Sequence, residues 1–307
     1  MLISVRLGLT QRDKYMNIVF VCTGNTCRSP MAEAIFREKT KDFSENITVS
    51  SCGLGAMPGD AASENSVTVM AETGIDISSH RARQINEYII DESDFIICLS
   101  DSHYNYLTPF CKEKLVLLGD GIPDPYGGGV DEYRYCRDEI ESAINILLES
   151  DTFIKIDKMC SDDVQSAYEI EKDNFSDPWS VDSFLSQFDK SFSVNIVAEY
   201  LGKVIGYICC DDIMGEVYIC TVAVDKSFRR RGIGRKLLDS VIDYCIENNN
   251  EMLTLEVRVS NTPAISLYSS FGFENLGIRK NFYSKPTEDA YIMTKYFNGD
   301  NNENISY

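Results

Sequence analysis

Histidine and tryptophan are nearly missing from this 307-residue sequence: His80, His103 and Trp179 are all there is of them. Two histidines give no material for a histidine-rich metal site, and no metal is expected. No apolar run reaches the roughly 18 residues of a membrane span, so no membrane partner is expected. The first fifteen residues lack the long apolar core and cleavage site of a secretory signal. Basic residues are scarce beside acidic ones, 29 against 48, for a net charge of −19. That excess is spread over both halves, which argues against direct nucleic-acid binding through a basic surface and favours a substrate with a basic tail. Eleven cysteines are present, but they are scattered, odd in number and without a Cys-x-x-Cys pair. They read as small buried apolar residues of a reducing, cytoplasmic protein rather than as a disulfide framework. There is no internal repeat and no Pro/Gly/Ser-rich linker, yet the length exceeds the roughly 100–200 residues of one domain, so two domains are expected.

Through Glu149 the sequence alternates short β-branched strands with amphipathic helices. The strands are expected at Ile18–Val21, Thr48–Ser51, Phe95–Leu99 and Lys114–Leu118, and the helices at Met31–Lys39, Glu64–Thr73 and Asp131–Leu148. Such alternation implies an α/β parallel sheet covered on both faces, with ligands bound at the carboxyl ends of the strands. The first strand ends in Val21-Cys22-Thr23-Gly24-Asn25-Thr26-Cys27-Arg28-Ser29. A cysteine followed by a glycine-bent loop, an arginine and a helix N-terminus points backbone N–H groups and a guanidinium at one spot. That spot suits a phosphoryl group, and its positive field favours thiolate over thiol, so Cys22 is a candidate nucleophile. By spacing alone, the Cys-x-x-x-x-Cys loop could equally be a redox pair or a structural turn.

Further blocks decide between these. The loop continues as Pro30-Met31-Ala32-Glu33, and Gly74-Ile75-Asp76, His80-Arg81-Ala82-Arg83-Gln84 and Pro123-Asp124-Pro125-Tyr126-Gly127 follow in order. With these, residues 16–150 resemble the low-molecular-weight protein phosphatases. The resemblance implies Cys22 as nucleophile, Arg28 as bidentate clamp on the phosphoryl oxygens and Asp124 as general acid, later general base. It implies a substrate loop of Thr23, Gly24, Asn25, Thr26, Cys27 and Ser29, with Ser29 holding the thiolate, Asn25 pinning the loop and Cys27 protecting the nucleophile by a reversible disulfide. His80 is expected to be structural. Thr26 stands where tyrosine-directed relatives usually have isoleucine and resembles the protein-arginine phosphatase subclass, so phosphoarginine is the expected substrate and phosphotyrosine the alternative. Residues 1–15 are left as an extension.

From Phe153 the order changes to a strand, helices through Phe188, antiparallel strands at Ser193–Tyr200, Lys203–Asp211 and Glu216–Val224, then a glycine turn and a helix. The turn, Arg229-Arg230-Arg231-Gly232-Ile233-Gly234-Arg235, lies between strand and helix and makes a diphosphate cradle. Residues 151–297 resemble the Gcn5-related N-acetyltransferases, an α+β fold, and among them the ribosomal-protein alanine N-acetyltransferases. The match rests on that turn, Asp177-Pro178-Trp179-Ser180, Leu255-Glu256-Val257-Arg258-Val259-Ser260-Asn261, Ala264-Ile265-Ser266-Leu267-Tyr268, Phe271-Gly272-Phe273 and Asn281-Phe282-Tyr283. It implies acetyl-CoA as acyl donor, held by Val222, Ala223, Val224, Arg230, Arg231, Gly232, Ile233, Gly234, Arg235 and Asn261. Glu256 would be the base for the attacking amine and Tyr268 the proton donor to the leaving thiolate. Phe282, where tyrosine is common, departs from the close family.

The expectation is therefore a bifunctional enzyme that dephosphorylates protein phosphoarginine and acetylates the N-terminal alanine of a small-subunit ribosomal protein. The alternatives are a tyrosine phosphatase joined to an acetyltransferase for other N-termini, or one domain that only binds. The last ten residues, 298–307, read as a polar, frayed tail.

Overall fold

The computed structural model describes residues 15–41, 43 and 46–297; the expected extension before Tyr15 and the polar tail lie outside them. Two compact units divide between Phe153 and Ile154, except that Leu201–Lys203 group with the first.

The first unit is a parallel sheet of order β2-β1-β3-β4. Its elements are β1 (Met16–Cys22), α1 (Arg28–Thr40), β2 (Ile47–Gly53), α2 (Glu64–Ala71), α3 (Glu87–Glu92), β3 (Phe95–Cys98), α4 (Asp101–Cys111), β4 (Leu115–Leu117) and α5 (Val130–Glu149). Strand β1 is buried along nearly its whole length, as a central parallel strand covered on both faces must be. Its last residue, Cys22, stands opposite Gly53 of β2. Helix α1 begins three residues earlier than the periodicity suggests, because Arg28, Ser29 and Pro30 are buried in its first turn. Helix α5 buries Tyr133, Cys136, Ile140, Ala143, Ile144 and Leu147, spaced three or four apart on one face. Helices α3 and α4 had no counterpart in the sequence reading. The first buries no residue, and the second carries Pro109 in its interior.

The second unit is a seven-stranded sheet of order β10-β11-β9-β8-β7-β6-β5. Its elements are β5 (Ile154–Lys158), α6 (Val164–Asn174), α7 (Val181–Phe188), β6 (Ser193–Tyr200), β7 (Lys203–Ile213), β8 (Glu216–Val224), α8 (Ile233–Glu247), β9 (Met252–Arg258), α9 (Thr262–Ser270), β10 (Glu274–Ser284) and β11 (Thr287–Tyr296). Strands β8 and β9 run parallel and pair only at Glu216–Met252, Val217–Leu253 and Tyr218–Thr254. Beyond Tyr218, β8 keeps its partner β7 but not β9, and a bulge at Cys220 shifts the β7 register there. The sheet therefore opens between the carboxyl ends of two parallel strands. All described cysteines are free, and nine of the eleven are buried.

Candidate active sites

In the first unit the loop between β1 and α1 wraps around the sulfur of Cys22. Cys22 Sγ accepts the Asn25 N–H at 3.2 Å and lies 3.0 Å from Ser29 Oγ. Asn25 adopts φ +56°, a left-handed backbone that asparagine tolerates better than most residues. It is fully buried and saturated. Its Nδ2 donates to Ser29 Oγ and Ser51 Oγ, both at 2.9 Å, its Oδ1 accepts the Arg83 N–H at 2.8 Å, and its carbonyl meets His80 Nε2 at 2.8 Å. Ser51 in turn donates to Glu33 at 2.6 Å. His80 and Arg83 are thus the braces of the loop.

Helix α1 starts at Arg28 with Cys27 as its cap, and no side chain caps its first turn, which leaves those N–H groups directed at the loop. Arg28 is buried; its Nη1 donates to the Ile122 carbonyl at 3.1 Å and its Nη2 pairs with Asp124 Oδ2 at 2.6 Å. The residues expected as clamp and acid therefore stand side by side, brought together from positions 96 residues apart. Thr26 is half-buried, with Oγ1 3.6 Å from Cys27 Sγ, while Thr23 is exposed beside it. Cys27 Sγ meets Tyr133 Oη at 3.2 Å, and burial first, then this contact, pushes the Tyr133 phenol up to about 12. A cavity of about 350 Å³ opens next to Asp124, walled by Pro123, Pro125, Asp131, Glu132, Tyr135 and Cys136.

Besides Ser51, two residues of this site escaped the sequence reading. Gly53 closes β2 against the loop: a Cβ there would stand 2.5 Å from the Thr23 carbonyl and 2.9 Å from the Asn25 nitrogen. A glycine at a strand end was the available signal. His103, in the first turn of α4, joins Thr23 Oγ1 at 3.0 Å to Ser100 Oγ at 2.8 Å. Burial, then the nearby Arg28 charge, lowers it to about 4, so the imidazole is neutral. No local pattern marked it.

In the second unit, the first turn of α8 follows Gly232, at φ +74°, and has no side-chain cap. Arg230 also takes a positive φ. Arg231 lies over the rings of Tyr200 and Phe228, whereas Arg235 bonds Ser270 Oγ at 3.0 Å and lies over Phe271, so these two cations are held by packing rather than projecting freely. Val222, Ala223 and Val224 line the part of β8 that β9 leaves unpaired. Asn261 caps α9 by accepting the Ala264 N–H at 3.3 Å. An uncapped helix start beyond a glycine turn, beside a strand with a free edge, fits the diphosphate and pantetheine portions of acetyl-CoA. Glu256, on β9, is half-buried and paired with Arg279 at 2.7 Å, a partner the sequence did not reveal. Tyr268 is buried against Phe273, and burial raises its phenol well above the ordinary range, so it keeps its proton.

Comparison with known proteins finds a different family in each half of the chain. The family description "Low molecular weight phosphotyrosine protein phosphatase" matches residues 17–158, and "Acetyltransferase (GNAT) family" matches 164–273. A protein-arginine-phosphatase of Geobacillus stearothermophilus is 37% identical over 143 residues, covering 43% of this chain and 93% of the relative. A protein-arginine-phosphatase of Bacillus subtilis is 32% identical, over 43% of this chain and 94% of its own. A ribosomal protein bS18-alanine N-acetyltransferase of Escherichia coli is 37% identical over 135 residues, covering 43% of this chain and 89% of the relative.

Proposed function

Because the chain belongs to the low molecular weight phosphatase family in its first half and to the GNAT acetyltransferase family in its second, we propose that it is a bifunctional enzyme, a protein-arginine phosphatase joined to an N-terminal alanine acetyltransferase. The observation that carries the first reading is the loop around Cys22: one sulfur with an N–H donor, a serine hydroxyl, a buried arginine and an acid in reach of one phosphoryl group. Cys22 attacks phosphorus, the S–P bond forms as the P–N bond breaks, and Asp124 delivers its proton to the leaving nitrogen. Water then attacks the phosphocysteine, Asp124 takes the water's proton, and the thiolate leaves. When Arg28 turns both of its terminal nitrogens to the phosphoryl oxygens it releases Asp124, so clamping the substrate frees the acid. The acidic walls of the neighbouring cavity and the small hydroxyl of Thr26 support a cationic guanidino leaving group over a phenol. Cys27 would trap an oxidised Cys22 as a disulfide.

Acetyl-CoA would supply the acetyl group as a thioester, held by Val222–Val224 and the Arg230–Arg235 turn. Glu256 would take the proton of the N-terminal ammonium, directly or through water, and Tyr268 would protonate the leaving sulfur. The acceptor by likeness is a ribosomal protein beginning with alanine.

The test uses the full chain on phosphoarginine, phosphotyrosine and phosphoserine peptides, and on acetyl-CoA with peptides beginning Ala, Ser or Met. Phosphoarginine and alanine peptides should give the highest kcat/KM. Thr26→Ile should shift preference towards phosphotyrosine within the roughly 1–3 kcal/mol that a packing change in a pocket supplies. A wild type that strongly prefers phosphotyrosine removes the arginine assignment.

A further inference from the structure

Glu171, in the last turn of α6, is 2% exposed and has no part in the acetyl transfer described above. Its Oε1 accepts the backbone N–H of Trp179 at 3.0 Å. Its Oε2 accepts the hydroxyls of Thr221, at 3.1 Å, and of Tyr207. Burial, then the adjacent Glu171 charge, drives the Tyr207 phenol far up, so Tyr207 stays a donor. One carboxylate thus ties the Asp177–Ser180 loop to β7 and to the residue of β8 that immediately precedes Val222–Val224.

Asn174, one turn further along α6, holds the other end of the same segment. Its Nδ2 donates to the Val224 carbonyl at 3.4 Å and its Oδ1 accepts from Arg229. The loop is secured on its other flank as well, through Ser176 Oγ to the Lys285 carbonyl and Lys285 Nζ to Asp177 at 3.1 Å. Trp179 packs edge-on against Phe184, and Phe184 against Tyr207, at centroid distances of 5.4 and 5.2 Å. Those apolar contacts alone would place the indole. A buried carboxylate is costly unless its lone pairs are filled, and what it adds over an apolar side chain is a fixed spacing between the groups it bonds.

We propose that Glu171 is a positioning residue that links the acetyl-CoA strand to the Trp179 loop, so that binding of the acyl donor sets the loop for the acceptor peptide. This rests on the acetyltransferase reading of the second unit. Strand β8 beyond Cys220 lacks a β9 partner, so it can adjust when a donor pairs along it. Any shift of Thr221 is felt at Glu171 Oε2 and passed through Oε1 to the Trp179 backbone.

Trp179 is the sole tryptophan of the full chain and reports on its own loop. Acetyl-CoA titrated into the wild-type protein should change Trp179 emission. In Glu171→Gln, which keeps the shape but loses one acceptor, calorimetry should find acetyl-CoA affinity within about threefold of wild type. The emission change should fall by about half or more, and KM for an alanine peptide should rise about tenfold with kcat little altered. Thr221→Val, which removes only the strand-side bond, should also blunt the emission change, and it alone decides if circular dichroism shows Glu171→Gln unfolded. Wild-type emission response and peptide KM in the decisive variant overturn the proposal, as does a wild type that binds acetyl-CoA with no change in Trp179. A wild type that binds no acetyl-CoA by calorimetry overturns the acetyltransferase reading, and the link with it.

Discussion

His103 shows what a single side chain adds to the phosphatase loop. It stands at the N-terminal end of α4, near Arg28, where a second positive charge would be opposed by burial, by the arginine and by the helix dipole. Its folded value of about 4 lies below the ordinary 6.5. Between those two values the unfolded chain binds the proton that the folded one refuses, so stability rises with pH across this window and is lost as pH falls through it. Urea midpoints measured from about pH 7 down to about pH 4.5 should therefore fall less steeply for His103→Asn than for wild type. Parallel slopes would show that the ring is not held neutral. At this scale the sequence was legible where chemistry and chain order coincide: Cys22, Asn25, Arg28 and Ser29 share one loop, and Asp124 sits in a proline-flanked block. His103, Gly53 and Ser51 act on that chemistry from other elements, as Arg279 acts on Glu256 in the second unit. Nothing in the residues beside them says which side chain they will face.

Among the elements, the hinge of the design is the junction of β1, its loop and α1, which Gly53 of β2 presses from below. Alanine there brings a Cβ against the Thr23 carbonyl and the Asn25 nitrogen, both backbone atoms that cannot swing away. Gly53→Ala should lower phosphatase kcat/KM by about a hundredfold, as misplacement of a positioned group by an ångström does. Thermal unfolding of this variant should show a smaller loss than the activity. Activity near wild type would mean the loop tolerates displacement. Strand positions were readable from β-branched runs, and β6 and β8 fall where the pattern puts them; β8 alternates buried with more open residues, the period of two that marks a strand with one covered face. Helix α3 was not readable: six residues with no buried side chain leave no periodic stripe.

As a whole molecule, the chain carries two proposed catalytic sets, Cys22, Arg28 and Asp124 in the first unit and Glu256 and Tyr268 in the second. Cys22→Ser should abolish phosphatase turnover and leave acetyl transfer at its wild-type rate. Gly232→Glu, which puts bulk and negative charge at the start of α8, should abolish acetyl-CoA binding and leave phosphatase turnover intact. Assays of both activities on each full-length variant check this, and loss of both in either variant would tie the two reactions together. The alternation of strands with helices, then the change of order after Phe153, made the division legible; pairing did not, since it is decided by residues far apart in sequence. The short pairing of β8 with β9 reaches beyond catalysis. Three residue pairs join the two sides of a sheet that elsewhere, as between β9 and β11, is joined by seven. The opening proposed here for the acyl donor is thus a fracture line, along which β9–β11 should open to solvent as one cooperative block, at lower free energy than β5–β8. Native-state hydrogen exchange should show acetyl-CoA slowing that block most, with the substrate serving as mortar for the wall it enters.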